Sequence, residues 1–148
     1  MDTETDIYKH SELTNTVMCC FYSVYNTPGY GFLEKVYENA LLLELTKRGI
    51  TAISQHPIKV HYGGAIVGEY FADILVGDSV LIEIKAVRSL APEHNAQLLN
   101  YLKATEIEVG LLLNFGVDPQ IKRKVYENHR KSQGATQNPY CLSDADNF

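Results

Sequence analysis

No stretch of this chain is long and apolar enough to cross a membrane, which takes about twenty consecutive apolar residues. The opening MDTETDIYKH is acidic and polar, unlike a secretory signal. Cysteine is scarce and odd in number, with Cys19, Cys20 and Cys141 the only three. Neighbouring cysteines on a helix cannot readily bridge each other, and none of the three has zinc-ligand spacing. That excludes a disulfide framework and points to free thiols in a reducing cytosol, hence a cytoplasmic protein. The five histidines are scattered, with no partner at ligand spacing. Lys and Arg number 13 against 18 Asp and Glu, a net charge of −5. Such a balance counts against broad affinity for polyanions and leaves room only for a local basic patch. Internal repeats and a second domain are absent as well.

What remains suits one soluble domain, since 148 residues with 45% apolar and 21% charged content can bury a sizeable core. Residues 11–131 are expected to form it, with a frayed start and a mobile tail at 132–148. Ser11 reads as an N-cap, and Leu13, Val17, Cys20, Phe21 and Val24 recur at helical spacing. The helix stops before Asn26-Thr27-Pro28-Gly29. A second helix is predicted from about Phe32 to Arg48, with Gly49 as its stop. From Ile50 the period changes to two, and Gly63-Gly64 signals a tight hairpin. Pro92 suits the first turn of a third helix running to about Thr105. EVGLLLNF, residues 108–115, is a near-continuous apolar run typical of a strand buried on both faces. Because it follows a strand and a crossover helix, it should lie parallel to the Val80–Ala86 strand. Asp118-Pro119 is expected to open a fourth helix.

The stretch EYFADILVGDSVLIEIKA, residues 69–86, holds the unusual chemistry. It reads as two strands around Gly77-Asp78-Ser79, yet Asp73, Glu83 and Lys85 interrupt its apolar runs. Leu81, Glu83 and Lys85 share one face. A three-residue loop pairs Val76 with Val80 and therefore sets Asp73 opposite Glu83. Two like charges facing each other in a sheet are destabilising unless something holds them together. A divalent cation that prefers oxygen ligands would do so. A structural ion pair between Lys85 and one carboxylate is the competing explanation, and it leaves the second carboxylate unexplained. The spacing alone proves nothing, because ordinary composition gives on the order of one accidental match in a chain of this length.

GFLEKVY at Gly31–Tyr37 resembles the signature of the GxxExxY proteins, a prokaryotic family of the PD-(D/E)XK nuclease superfamily. YENALLLELTKRGI, the Asp73 strand, LIEIKAV, AQLLNYL and GLLLNFG agree with that family in order, over roughly residues 12–126. One departure is Ala72, where the superfamily often has proline before the acid. The resemblance implies a restriction-endonuclease-like αβββαβ core, an α/β fold whose mixed sheet is flanked by helices. It also implies a metal-dependent nuclease acting on DNA or RNA. Asp73, Glu83 and the Ile84 carbonyl would hold Mg²⁺ or Mn²⁺, with Lys85, Glu34 and Gln97 completing the catalytic set. Tyr37, Tyr101, Lys122, Arg123 and Lys124 are candidate contacts to nucleic acid; for the two tyrosines core packing competes, and for the basic residues a solvated surface. The alternatives are a non-catalytic binding module of this fold, or a structural adaptor used through a partner or as a homodimer.

Overall fold

The computed structural model describes residues 9–131. The expected tail, 132–148, and most of the expected frayed start lie outside the described residues.

Among the described residues three helices and five strands follow one another: α1 (Ser11–Tyr25), α2 (Glu34–Lys47), β1 (Ala52–Tyr62), β2 (Ala65–Val76), β3 (Val80–Lys85), α3 (Pro92–Lys103), β4 (Val109–Phe115) and β5 (Pro119–Val125). A single turn of 3₁₀-helix closes the described part at Asn128–Arg130. The strands form one sheet in the order β1-β2-β3-β4-β5. Only β3 and β4 are parallel, because α3 carries the chain across the sheet between them. Gly63 and Gly64 close the β1–β2 hairpin at φ 57° and 81°, a pair of left-handed positions that glycine adopts without steric cost. The β2–β3 turn pairs Val76 with Val80, Leu75 with Leu81 and Ile74 with Ile82, the register expected from a three-residue loop.

The alternation of strand side chains divides the core in two. On one face Val17, Phe21, Tyr37 and Leu41 of α1 and α2 pack on Ile74, Ile82, Ile84 and Leu111. On the other Leu98 and Leu102 of α3 pack on Leu75, Leu81 and Leu112. Every residue of β4 is buried, although leucine is a modest strand former. Burial decides the matter, since each enclosed leucine contributes about 1.5–3 kcal/mol while strand propensities span about 1 kcal/mol.

Asp118-Pro119 does not open a helix. The segment PQIKRKV is β5, antiparallel to β4, with Phe115 paired to Pro119 and Val109 to Val125. Ile121 and Val125 alternate with Lys122 and Lys124, a period of two that the proline signal masks in the sequence. Proline at the first position is tolerated because β5 is an edge strand, and its lysines discourage pairing with another chain. At the start of the chain the first helix is capped by His10 in a left-handed conformation, so Ser11 is its first helical residue and not its cap.

Candidate active site

The ladder between β2 and β3 stops at Ile74↔Ile82. On the next rung two carboxylates take the place of backbone acceptors. The Asp73 N–H donates to Glu83 Oε1 at 3.1 Å, and the Ile84 N–H donates to Asp73 Oδ2 at 2.7 Å. Each carboxylate therefore binds the opposite strand's main chain and still has acceptor capacity to spare. The distortion extends into β1. Gln55, which falls opposite Asp73 between the pairs Ser54↔Ile74 and His56↔Ala72, is left-handed at φ 56°. A non-glycine residue there costs on the order of 1–3 kcal/mol, and such positions cluster at functional sites.

Crowding acids in a buried place has a charge cost. Burial first, and then the neighbouring Asp73, push the Glu83 carboxyl up to about 8. Asp73 is also raised, mainly by burial and further by Glu38 and Glu34; the Ile84 N–H and Lys85 act in the opposite direction. Lys85 lies on the α3 side, where its Nζ donates to Gln97 Oε1 at 3.3 Å. Gln97 Nε2 in turn donates to the Tyr101 hydroxyl at 3.1 Å. The i and i+4 positions of α3 thus form a relay that fixes the lysine head. Burial, and then the nearby Glu83, push the Tyr101 hydroxyl above its ordinary value.

Glu34 opens α2 and lines a cleft of about 520 Å³ together with Glu38, Gln55, Asp73 and Ile84. Glu38 lies on the buried stripe of α2 with Tyr37, Leu41 and Leu45; its spacing in the sequence sets it beside Glu34, Tyr37 and Leu41 but gives it no role. Its Oε1 accepts from Gln55 Nε2 at 2.8 Å, and its Oε2 pairs with Lys35 Nζ. The signal was present, because a glutamate in an otherwise apolar helical stripe must have partners. The remaining candidates separate. Tyr37 is fully buried, its ring stacked on Phe115 and its hydroxyl donating to Gly29 O, so it has no face for a base. Tyr101 is 7% exposed. Lys122 and Lys124 project from one side of β5, whereas Arg123 projects from the other and donates to Lys9 O at 2.6 Å. The three do not form one basic row.

Asn114, buried at the end of β4, carries no spacing signal in the sequence. It accepts from the Val87 N–H at 3.0 Å, donates to Val87 O at 2.9 Å and donates to Gln120 Oε1 at 3.0 Å. It thereby pins the main chain two residues beyond Lys85. Gly116 permits the approach: a Cβ there would meet Val87 O at 2.2 Å. Removing the amide strands two main-chain groups, each at about 1–3 kcal/mol. Asn114→Ala should therefore lower the melting temperature by roughly 5–15 °C, measured by circular dichroism. A change within two degrees would show that Val87 finds other partners.

A mixed sheet with helices on both faces, and an acid pair with a lysine where its central strands part, define a restriction-endonuclease-like nuclease fold. The chain belongs to the PD-(D/E)XK nuclease superfamily, whose sequence model matches residues 11–125. Among solved structures it is similar to that of SSO0001, at 20% identity over 82% of this chain and 61% of that one, with a TM-score of 0.53. It is also similar to an alkaline exonuclease (LHK-Exo) from Laribacter hongkongensis, at 16% identity over 64% and 57% of the two chains, with a TM-score of 0.47. At these identities the first likeness is one of fold, and the chain spans about three fifths of the length of either structure. No curated protein matches. Proteins of this superfamily generally use divalent metal ions and act on nucleic acid. No helix among the described residues is long and apolar enough to cross a membrane.

Proposed function

We propose that this chain is a metal-dependent nuclease of the GxxExxY family, working in the cytoplasm through residues 11–131. The carrying observation is the rung at which Asp73 and Glu83 exchange hydrogen bonds with each other's strands, two residues before Lys85. Among the described residues no three His, Cys, Asp or Glu side chains lie close enough to hold an ion by themselves. Two carboxylates and the Ile84 carbonyl nevertheless suit Mg²⁺ or Mn²⁺, which keep several positions for water and substrate phosphate. The raised pKa of Glu83 fits such a site, because burial first and then the neighbouring Asp73 disfavour its charged form, and a bound cation would offset both.

A divalent cation held there supplies Lewis acidity, which acidifies water and neutralises charge on a scissile phosphate. The chain's own groups do the rest. Asp73 and Glu83 fix the position of that charge, and each is itself fixed by a main-chain N–H. Lys85, held by Gln97, orients the attacking water or stabilises the negative charge that develops on the phosphate oxygens. Glu34 adds a third carboxylate on the α2 side of the opening, and Glu38 anchors the helix that presents it.

The test is an assay of the purified chain on single- and double-stranded DNA and RNA, with chelator, Mg²⁺ or Mn²⁺. Cleavage of at least one substrate with metal, and none with chelator, is expected. No cleavage of any substrate would favour a binding module of the same fold.

A further inference from the structure

The β1–β2 hairpin is about twice as long as β3, so among the described residues its outer half has no strand beyond it. The side of that half facing α3 leaves a second cleft, of about 850 Å³, within the size range of ligand sites. Val60 and Tyr70 form its strand wall, and Ala96, Gln97, Asn100 and Tyr101 its helix wall. Its other lining residues include Lys59 and Lys103 against one acid, Glu93. In a chain of net charge −5 this is a local reversal of sign.

Three features identify an occupant. The cleft adjoins the acid–lysine site through Gln97, which accepts from Lys85 and forms part of the cleft wall. The Tyr70 ring is half exposed and leans on Tyr101 at a centroid distance of 5.9 Å and an angle of 40°. A ring held from behind in this way is a rigid platform for another flat ring. The amides of Gln97 and Asn100 add donors and acceptors beside it. We propose that this cleft holds unpaired nucleotides of a single-stranded nucleic acid beside the scissile phosphate. Tyr70 stacks on a base, and Lys59 and Lys103 meet backbone phosphates. In a duplex the base faces cover one another and cannot reach such a ring, whereas an unpaired strand exposes them. The inference rests on the nuclease reading for the position of the cut bond.

Binding separates the two ideas. Full-length Lys85→Ala protein, blocked in cleavage, is titrated into fluorescent oligothymidine, its RNA counterpart and a duplex of equal length, with Mg²⁺ present. A single strand of either sugar should bind more tightly than the duplex. Adding Tyr70→Leu, which keeps apolar bulk and removes the π-face, should weaken single-strand binding roughly tenfold. Tyr70→Phe should stay within about twofold of Tyr70, because the stacking face is retained. Adding Lys59→Gln and Lys103→Gln together should flatten the log–log salt slope by about 1.4, at 0.7 for each phosphate contact on a single strand. Unchanged affinity in Tyr70→Leu, or duplex binding as tight as single-strand binding, would overturn the proposal. Tyr70-dependent binding with no metal-dependent cleavage by the wild-type chain would support the cleft and sink the nuclease reading. Cleavage with Tyr70-independent binding would do the reverse.

Discussion

Lys85→Ala should lower cleavage by about a hundredfold or more and leave the fold in place. The size follows from losing one pre-positioned donor at the site of developing charge, which costs about 10²–10³ in rate in comparable sites. The fold should survive because Lys85 is only half-buried and its bond is to a side chain, Gln97, that alanine leaves accessible. The Glu83 carboxyl should rise further in the variant, since Lys85 is one of the groups holding it down. Single-turnover cleavage with circular dichroism on the same preparation checks both halves. Cleavage at the wild-type rate would mean that the activity comes from another site or from a contaminating nuclease.

The metal-free protein should lose stability as the pH rises from about 5 to 8. An unfolded glutamate releases its proton near the ordinary 4.5, whereas the folded Glu83 holds it up to about 8. Between those values the native state binds more protons than the unfolded state, so stability is present at the acid end and is lost as pH rises. Asp73, also raised, adds to the same slope. With chelator present, the melting temperature should fall by roughly 5–10 °C across that window. Asp73→Asn should melt higher than wild type at about pH 8 and show a shallower slope, since it removes one charge and keeps the shape. The slope should not vanish, because burial outranks Asp73 among the causes of the Glu83 shift. A flat profile in the wild-type protein would show that both carboxylates ionise freely and that the pair has another source of charge balance.

Much of this architecture is legible in the sequence where a local signal and burial agree. The Gly63-Gly64 turn, the apolar run of β4 and the change from a period near 3.6 to a period of two each point to the element that forms. The three-residue turn fixes the rung of Asp73 and Glu83, because a shift of one residue would place one acid on the wrong face. β5 is the exception. Asp118-Pro119 resembles a helix start, and only pairing with β4 reveals that Ile121 and Val125 have a sheet face to fill. The partners of Glu38 and Asn114 were hidden for a related reason. Gln55 and Val87 lie 17 and 27 residues away, and no spacing rule links them. The cleft beside Tyr70 depends on the overhang of a hairpin past its neighbouring strand, a relation between three elements that no one of them encodes.

The most direct test of the acid pair as a metal site is a melting series on wild type and Asp73→Asn at one ionic strength, with chelator, Mg²⁺ and Mn²⁺. A ligand that binds only the folded state adds about 2.7 kcal/mol at a hundredfold excess over its dissociation constant. At saturating metal the wild-type protein should therefore gain roughly 5–10 °C. Asp73→Asn, higher at the outset, should lose most of that rise. Equal metal responses in the two proteins would contradict the paired-carboxylate site and the nuclease mechanism built on it.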